Sequence, residues 1–570
     1  MRFILKYVKP VAGRFALGMS VKFIGTLMDL LIPSILAYII DTVTPMGDVS
    51  RVALWGGLML ACSVSAWLLN VFANRTAATV ARDVTRSVRH DLFDRIVHMR
   101  SSDIDRITIP SLISRMTTDT FYIYRLIGLT QRLGVRAPIM LIGGICITLT
   151  LDPVLSLILI AMLPFMGLLV FLISRKGVPL YTKVQERVDE LVRVVRENAS
   201  GVRIIKALDK SEHEKERFHG VNSAVARQET KASVILAVNN PTMQFLLNAG
   251  LVLVILAGAR RVNSGLTQPG KIVAFLSYFT TILNAMLSIT RFLTVSSKSL
   301  ASAKRVEEVM LCPLEGSSIE PETPAPDAPH IVFDHVTFSY NHTTPSVHDI
   351  SFALRRGQTL GILGPTGAGK STLIRLLLRF YDTDKGRILV DGRDIRSLDL
   401  GELRASIGAV FQNDALFRGT IGENVRLGRE ISVKEVDDAL RRAQAAGFVE
   451  EKGGIDSEVL SHGSNFSGGQ QQRLLLSRAL AGIPDILLLD DATSALDFKT
   501  EAALRAALRE QSSKTTTIII AQRISAVMHC DQILVMEDGE AVGLGSHEEL
   551  MKSCPLYQEI AQLQIGGEDA

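Results

Sequence analysis

Cysteine and net charge are both scarce in this chain. Five cysteines are spread over 570 residues, and no C-x-x-C spacing occurs among them. This pattern argues against a disulfide framework or a cysteine-based metal site, so we expect isolated, incidental thiols. A formal net charge of only +4 also argues against a nucleic-acid partner, because such a partner requires a dense cluster of basic residues.

The N-terminus lacks a small-residue cleavage site after a short apolar core. Residues 1–15 are instead basic and amphipathic. This pattern favours a helix that lies on the cytoplasmic face of a membrane over a cleaved signal sequence. Internal repeats and low-complexity tracts are absent from the sequence as well, which gives no indication of a repeat architecture.

Apolar residues are abundant and unevenly distributed. They make up 47% of the chain, the mean hydropathy is +0.25, and the long apolar runs lie before residue 300. Each run is close to the ~20 residues that a helix needs to cross the hydrocarbon layer. The sequence predicts a transmembrane domain over residues 1–310, with six membrane helices at about 15–42, 52–78, 126–151, 154–173, 232–259 and 272–295.

Charged side chains interrupt some of these predicted spans, among them Lys22, Asp29 and Arg291. Because a charge in lipid is costly, each should face the bundle interior, a cavity or a membrane edge. For Lys22 and Asp29 two roles stay open. They either line a transport cavity, or they snorkel or bond to a neighbouring helix.

Positive charge is concentrated in two long connections, at residues 82–125 and 175–231, whereas the other connections are short and hold few basic residues. The positive-inside rule therefore places both connections and the N-terminus in the cytoplasm of a cell-membrane protein. Both are rich in helix-forming residues and poor in glycine and proline. We expect the membrane helices to continue well beyond the bilayer.

The character of the sequence changes after residue 310. Residues 311–329 contain Pro321, Pro324 and Pro326 and have little to bury, which predicts a linker. Short apolar runs at 359–363 and 486–489 are typical of buried parallel strands. Residues 330–570 are therefore expected to form a cytoplasmic α/β domain.

A glycine-rich loop directly follows the strand predicted at 359–363 and precedes a helical stretch, which is the order of a P-loop. Its backbone N–H groups would surround phosphate oxygens, Lys370 would reach the β- and γ-phosphates, and Ser371 would ligate Mg²⁺. Asp490, at the end of the run 486–489, would hold the water shell of the metal. The predicted site for ATP and Mg²⁺ comprises Gly364, Pro365, Thr366, Gly367, Ala368, Gly369, Lys370, Ser371 and Thr372.

Three further stretches distinguish this chain among P-loop ATPases. Residues 465–473 read NFSGGQQQR, Gln412 lies in VFQND, and residues 494–497 read SALD. They resemble the signature, the Q-loop and the D-loop of ABC transporter cassettes. Tyr340 is similar in position to the family's aromatic residue that stacks on adenine, although a surface tyrosine at a strand end is the alternative reading.

The resemblance covers nearly the whole chain and points to the exporter branch of the family. It implies a membrane bundle of six transmembrane helices with long cytoplasmic extensions, fused to an α/β P-loop ATPase cassette with a helical subdomain. Gln412 would join Ser371 and Asp490 at the metal, and residues 197–206 resemble the segment that docks on a cassette. Two cassettes of this family pair head to tail, so a second half-transporter is implied, whose ATP would contact Ser467, Gly468, Gly469 and Gln470 in trans.

Two positions depart from the family pattern. Asp491 stands where the family has a catalytic glutamate, and the loss of one methylene withdraws the carboxylate by about 1.5 Å. Gln522 stands where the family has a histidine, and an amide cannot carry the imidazolium charge. We therefore expect this chain's own site to bind Mg-ATP and to hydrolyse it slowly.

The predicted function is ATP-driven export by alternating access, as one subunit of a heterodimer with one degenerate site. The substrate would be a small molecule, a lipid or a peptide, because all of these cross through similar apolar cavities. Two alternatives stay open: a homodimeric exporter, and a regulatory membrane protein gated by ATP. A soluble ATPase is excluded by the predicted spans, which would lie in membrane lipid.

Overall fold

The computed structural model describes residues 2–316, 319, 328–341, 343–511 and 515–565. Most of the predicted linker 311–329 lies outside these residues. The chain forms two compact units. The first comprises Met1–Ile96 and Pro110–Leu311, and the second comprises Val97–Ile109 and Cys312–Ala570.

From Arg2 to Leu311 the chain consists of helices joined by short turns. π-Helical turns at Ile39–Val43 and Arg115–Asp119 connect some of the α-helices. The α-helices are α1 (Arg2–Val8), α2 (Ala12–Tyr38), α3 (Val49–Val97), α4 (Ser101–Ile107), α5 (Ile109–Ser114), α6 (Thr120–Leu151), α7 (Pro153–Ala207), α8 (Ser211–Ala237), α9 (Asn239–Asn263) and α10 (Pro269–Leu311).

The tight junction between α6 and α7 shows how local sequence sets these bounds. Asp152 has an extended backbone, and its carboxylate accepts hydrogen bonds from the N–H groups of Val154 and Leu155 at 3.0 and 3.2 Å. Pro153 takes the first helical position, where its missing N–H costs nothing. The other carboxylate oxygen of Asp152 accepts from Arg261 at 3.1 Å, which ties this junction to the end of α9.

Five helical stretches among the described residues are long and apolar enough to cross a membrane. The predicted fourth span, 154–173, lies in α7, where the described apolar part Pro153–Leu169 is shorter and the side chain of Ile173 lies outside the described ones. This fourth span therefore stays a prediction. The five stretches are Phe3–Met46, Val49–Val97, Ile109–Leu151, Pro241–Asn263 and Pro269–Leu311.

Several helices are much longer than a membrane span. α3 has 49 residues, α7 has 55 and α10 has 43. At 1.5 Å per residue these helices are about 65–80 Å long, more than twice the ~30 Å hydrocarbon core. Each therefore has a part that extends outside the hydrocarbon layer.

The polar residues of the first span lie between helices. The Lys22 ammonium is almost fully buried and donates to the side-chain oxygens of Asn70 at 2.7 Å and Asn74 at 3.2 Å, both on α3. Asp29 forms an ion pair with Arg136 of α6 at 3.1 Å. Of the two roles left open by the sequence, the contacts favour bonding between helices.

Helix α1 differs from the expectation for residues 1–15. Phe3, Ile4 and Tyr7 form its apolar side, and all three are buried within the first unit. The Tyr7 hydroxyl donates to the Asp91 carboxylate of α3 at 2.9 Å. The apolar side of this helix is thus covered by protein rather than left to face lipid.

The cassette unit alternates strands and shorter helices. Its strands are β1 (Ile331–Phe338), β2 (Val347–Leu354), β3 (Thr359–Leu363), β4 (Lys385–Val390), β5 (Arg393–Asp394), β6 (Ile407–Val410), β7 (Gly419–Thr420), β8 (Glu458–Val459), β9 (Ile486–Asp490), β10 (Thr516–Ile520), β11 (Gln532–Glu537) and β12 (Glu540–Gly545). Its helices are α11 (Lys370–Leu377), α12 (Leu400–Ala405), α13 (Ile421–Arg426), α14 (Val433–Arg442), α15 (Ala446–Glu451), α16 (Gly468–Leu480), α17 (Phe498–Gln511), α18 (Ile524–Val527), α19 (His547–Ser553) and α20 (Pro555–Ile565).

The main sheet has the strand order β12-β11-β3-β10-β9-β6, and its strands are parallel except for β12. All five residues of β9 are buried, as expected for a strand covered on both faces. A second, antiparallel sheet has the order β2-β1-β4-β5. The P-loop, Asp490 and Gln522 follow β3, β9 and β10, so they meet at the carboxyl edge of one sheet, where ligands bind in such folds.

Helices α13 to α16 pack around a hydrophobic core that also includes residues of β6 and β9. Val425, Val436 and Leu476 are fully buried in it. Phe466, which precedes the signature serine, packs into the same core with its ring 6.3 Å from that of Phe448. The residue next to the signature serine therefore has an apolar packing role.

The segment Val97–Ile109 belongs to the cassette unit, although the sequence analysis assigned it to the transmembrane domain. Met99 pairs with Leu314 in a β-bridge, and the Glu315 N–H donates to the His98 carbonyl at 2.9 Å. The Tyr381 hydroxyl donates to Asp105 of α4. These pairings join residues distant in sequence, so no local pattern could have indicated them.

Candidate ATP site

One cavity of about 800 Å³ lies at the carboxyl edge of the main sheet. Gly364, Pro365 and Ala368 are the predicted P-loop residues that do not line it. Ala368 packs into the hydrophobic core, and the other two contribute backbone carbonyls. The predicted residues that do line it are Tyr340, Thr366, Gly367, Gly369, Lys370, Ser371, Thr372, Gln412, Asp490, Asp491 and Gln522.

Lys370 is held inside the P-loop. Its ammonium donates to the carbonyls of Gly364 and Pro365, each at 2.7 Å. Burial lowers the pKa of Lys370, and the nearby carboxylates of Asp490 and Asp491 partly offset this effect. The loop thus presents a positive charge to the cavity where a phosphate would lie.

Glycine is required at position 369 by both conformation and space. Its φ of +89° lies in the left-handed region, and a Cβ there would come within 2.3 Å of the Ser346 carbonyl oxygen. Helix α11 begins at the next residue, so its free N–H groups open onto the cavity. This local geometry is that of a phosphate cradle.

Ser371 and Asp490 form the metal side of the cavity. Both side chains line the cavity. Burial raises the pKa of Asp490, a shift that the Ser371 hydroxyl and the cations Arg375 and Lys370 oppose. Together with Gln412 these are hard oxygen donors, which Mg²⁺ prefers beside the phosphates of a nucleotide. The residues present therefore fit a Mg-nucleotide.

The backbone of Asp491 is fixed from both sides. Its φ is +53°, its N–H donates to the Ile520 carbonyl at 3.0 Å, and its own carbonyl accepts from the Ser494 hydroxyl at 3.0 Å. The Gln472 amide also donates to this carbonyl, at 3.2 Å. Burial raises the pKa of Asp491, and Arg523 and Lys370 act against that rise. These contacts fix the backbone position from which the Asp491 side chain extends.

Tyr340 lines the same cavity and takes part in a network of aromatic and polar contacts. Its ring meets those of Phe338 and Tyr381 edge to face, with centroids 4.9 and 5.1 Å away. Arg375 donates to its hydroxyl at 3.1 Å. A face of the ring stays available, because the side chain is 42% exposed.

The signature residues Ser467, Gly468, Gly469 and Gln470 do not line this cavity. Ser467 caps α16 in a capping box, in which its hydroxyl accepts from the Gln470 N–H and the Gln470 side chain accepts from the Ser467 N–H. A Cβ on Gly468 would meet no atom within 4 Å. The start of α16 is therefore an open surface with free N–H groups.

Sequence reasoning missed several cavity residues. Arg375 lies one turn after Ser371 on α11, and that helical spacing was a usable signal. The others lie in loops or, for Ile520, at the end of β10, and long-range pairing brings them together, so no motif identifies them. They are Asn341, Thr344, Pro345, Ser346, Ile520, Ala521, Asp538 and Gly539.

Two family models match this sequence. The model described as the ABC transporter transmembrane region matches residues 15–286, and the model described as ABC transporter matches residues 347–494. The second match contains the P-loop, the signature and Asp490. Both matches agree with the division between a helical and an α/β part.

Similar proteins match along nearly their whole length. An uncharacterized ABC transporter ATP-binding protein of Mycobacterium tuberculosis is 35% identical, over 98% of this chain and 97% of the relative. A fatty acid ABC transporter ATP-binding/permease protein from the same species is 32% identical, over 89% of this chain and 80% of the relative. The structure of a bacterial Atm1-family ABC exporter with ATP bound superposes with a TM-score of 0.83 at 26% identity, over 98% of this chain and 99% of that one.

Proposed function

This chain belongs to the ABC transporter family as an exporter-type half-transporter with an ATPase cassette, and we propose that it works as one subunit of a heterodimer. In this proposal its own P-loop site retains Mg-ATP and hydrolyses it slowly. Its signature completes the faster site of the partner chain. Transport of the substrate out of the cell would then follow from alternating access driven by that faster site.

Retention of ATP is supported by the set of groups around the cavity. Lys370, the P-loop backbone and the start of α11 supply positive charge for the phosphates. Ser371, Gln412 and Asp490 would hold Mg²⁺, and Tyr340 would stack on adenine. When bound, the metal would neutralise phosphate charge. The ATP named for the Atm1-family exporter is consistent with such a ligand.

Slow hydrolysis is supported by the observation that carries the proposal, the fixed backbone of Asp491. Hydrogen bonds to Ile520, Gln472 and Ser494 prevent the main chain from advancing the shorter carboxylate. A displacement of about 1.5 Å is enough to reduce general-base catalysis strongly. Gln522 supplies a hydrogen bond but no positive charge to the same cavity.

A different partner chain is supported by the contrast between the two faces. The signature keeps Ser467 as a helix cap and leaves Gly468 open to an incoming phosphate. An intact signature would serve little purpose if every site in the dimer had a withdrawn carboxylate. We therefore infer a partner whose own site has the longer carboxylate and the histidine.

The proposal places this protein in the cell membrane, with its N-terminus and cassette in the cytoplasm. The two basic connections support that orientation. A labelling experiment tests it, because a cysteine introduced in place of Gly47, at the α2–α3 turn, should react with an impermeant thiol reagent from outside the cell. Reaction only after lysis would contradict the orientation.

The heterodimer itself is tested by expression. Purified alone, the chain should hydrolyse ATP poorly, and co-expressed with its natural partner it should form an active complex with two different subunits in equal amounts. Subunit mass and ATPase rate are the measurements. A robustly active homodimer of this chain would overturn the proposal.

A further inference from the structure

The C-terminal helix α20 contacts the loop that carries Gln522. The Gln564 amide nitrogen donates to the Gln522 carbonyl at 2.9 Å, and the Ile524 N–H donates to the Gln564 side-chain oxygen at 2.8 Å. A side-chain amide has a donor nitrogen and an acceptor oxygen on the same carbon, so it can bond one carbonyl and one N–H at once. Gln564 thus bonds the backbone on both sides of Arg523.

Helix α20 is itself firmly anchored. Tyr557 and Ala561 are buried in a core that also contains Leu363, the last residue before the P-loop, and Ala521, the residue before Gln522. The same core therefore supports the phosphate loop, the Gln522 loop and the helix that carries Gln564. A side chain on such a support can hold a neighbouring loop in one position.

This support is important because the Gln522 side chain is uncharged. A neutral amide acts on a phosphate through a directional hydrogen bond, which weakens steeply when its geometry is lost. A charged imidazolium would tolerate a small displacement better, because its attraction falls off more slowly with distance. A chain with glutamine at this position therefore depends more on the placement of the loop.

We infer that Gln564 is a positioning residue for the terminal phosphate: it holds the loop so that Gln522 reaches the γ-phosphate of ATP in this chain's own site. The inference rests on the proposed retention of Mg-ATP at that site. ADP lacks the γ-phosphate, so the contribution of Gln564 should appear in the preference for ATP over ADP. Its consequence is a C-terminal helix that takes part in nucleotide selection.

The test is photoaffinity labelling of the assembled full-length transporter with 8-azido-ATP, read on this chain and competed by ATP or ADP. Gln564→Ala should weaken competition by ATP about tenfold, the effect of one hydrogen bond to a charged group, and should change competition by ADP by less than about twofold. Gln564→Glu keeps the acceptor and removes the donor, so it should behave like Gln564→Ala. It serves as the second variant if the alanine protein does not fold.

Gln558→Ala is the matched control. Gln558 lies on the same helix, and its amide donates to the Met551 carbonyl at 2.8 Å, away from the Gln522 loop. On this variant, ATP and ADP should each compete with the photolabel as well as they do on wild type. Thermal unfolding of all variants should separate a loss of folding from a loss of selectivity.

A double variant shows whether Gln564 acts through Gln522. If it does, adding Gln564→Ala to Gln522→Ala should weaken competition by ATP no further. The inference would be overturned if Gln564→Ala weakened competition by ATP and by ADP equally. It would also be overturned if the double variant weakened competition by ATP a full tenfold beyond Gln522→Ala alone. Failure of wild type to label on this chain would overturn it together with the proposed function, whereas labelling with fast loss of the γ-phosphate would overturn the slow site alone.

Discussion

The two faces of the cassette present different groups. On the P-loop face, Lys370, Ser371 and Asp490 meet in one cavity with a shortened carboxylate at Asp491 and an amide at Gln522. On the signature face, a serine-capped helix start stands open at Gly468, whereas a Cβ on Gly469 would come within 3.1 Å of the Ala495 carbonyl oxygen. In the proposed function, the first face binds this chain's own ATP and the second completes the site of the partner chain.

In the proposed function, nucleotide binding and nucleotide hydrolysis separate within one site. Binding would be spread over many backbone and side-chain groups, so two changed residues would leave most of it in place. Hydrolysis requires one carboxylate at the correct distance from water, so the same two changes would remove most of it.

The two faces are also connected. The Gln472 side chain of α16 donates to the Asp491 carbonyl at 3.2 Å and accepts from the Ala495 N–H at 3.1 Å. A rigid contact therefore links the signature helix to the backbone of the shortened carboxylate.

The largest expected effect is on the signature face. Gly468→Trp should reduce ATP hydrolysis by the assembled dimer about 10²–10³-fold, because the ring would block the partner's γ-phosphate from the start of α16. Gly447→Trp on α15 is the control, since both glycines have open space around them. A steady-state ATPase rate close to wild type for Gly468→Trp would break the comparison.

A smaller effect is expected for binding on the P-loop face. Lys370→Ala should weaken photolabelling of this chain by 8-azido-ATP about 10–100-fold, through loss of charged hydrogen bonds to the phosphates. Lys434→Ala, at an exposed position on α14, should leave labelling unchanged. If labelling of this chain survives Lys370→Ala, its nucleotide is held by other groups.

Restoring the family residues at positions 491 and 522 should modestly raise hydrolysis on the P-loop face. Asp491→Glu combined with Gln522→His is expected to raise hydrolysis at this chain's own site by about tenfold or less, because the two residues act as one unit. The measurement is loss of the γ-phosphate from nucleotide bound to this chain. No rise at all would indicate that a further part of the site, contributed by the partner, limits the rate.

The smallest effect is expected for Asp491→Asn. Total hydrolysis by the dimer should fall less than about twofold, against the ~10²–10⁴ expected when a working base is removed. The amide keeps the size of the side chain, so folding should be preserved. A loss as large as that of Gly468→Trp would identify Asp491 as a working base.

The sequence predicted those parts of the site that are contiguous in the chain. The P-loop, Asp490 and the signature each lie in a short motif whose spacing reflects its own geometry. The loop around Thr344, the Gly539 turn and the contact of Gln564 depend on strands and helices that are distant in sequence, so they required the structure.

The fold was predictable to a similar extent. Long apolar runs and basic connections predicted the helical domain, and short apolar runs predicted the buried strands of the α/β domain. The pairing of Met99 with Leu314 and the protein cover over α1 could not be predicted, because both depend on which surfaces meet in three dimensions.

The most direct test of a retained nucleotide follows the γ-phosphate on each chain. The dimer is incubated under turnover conditions with 8-azido-ATP labelled at either the α- or the γ-phosphate, then photolysed, and the two subunits are separated. We predict that this chain keeps both labels in equal amounts, while the partner chain loses the γ-label. Loss of the γ-label from this chain at the rate seen on the partner would contradict the account.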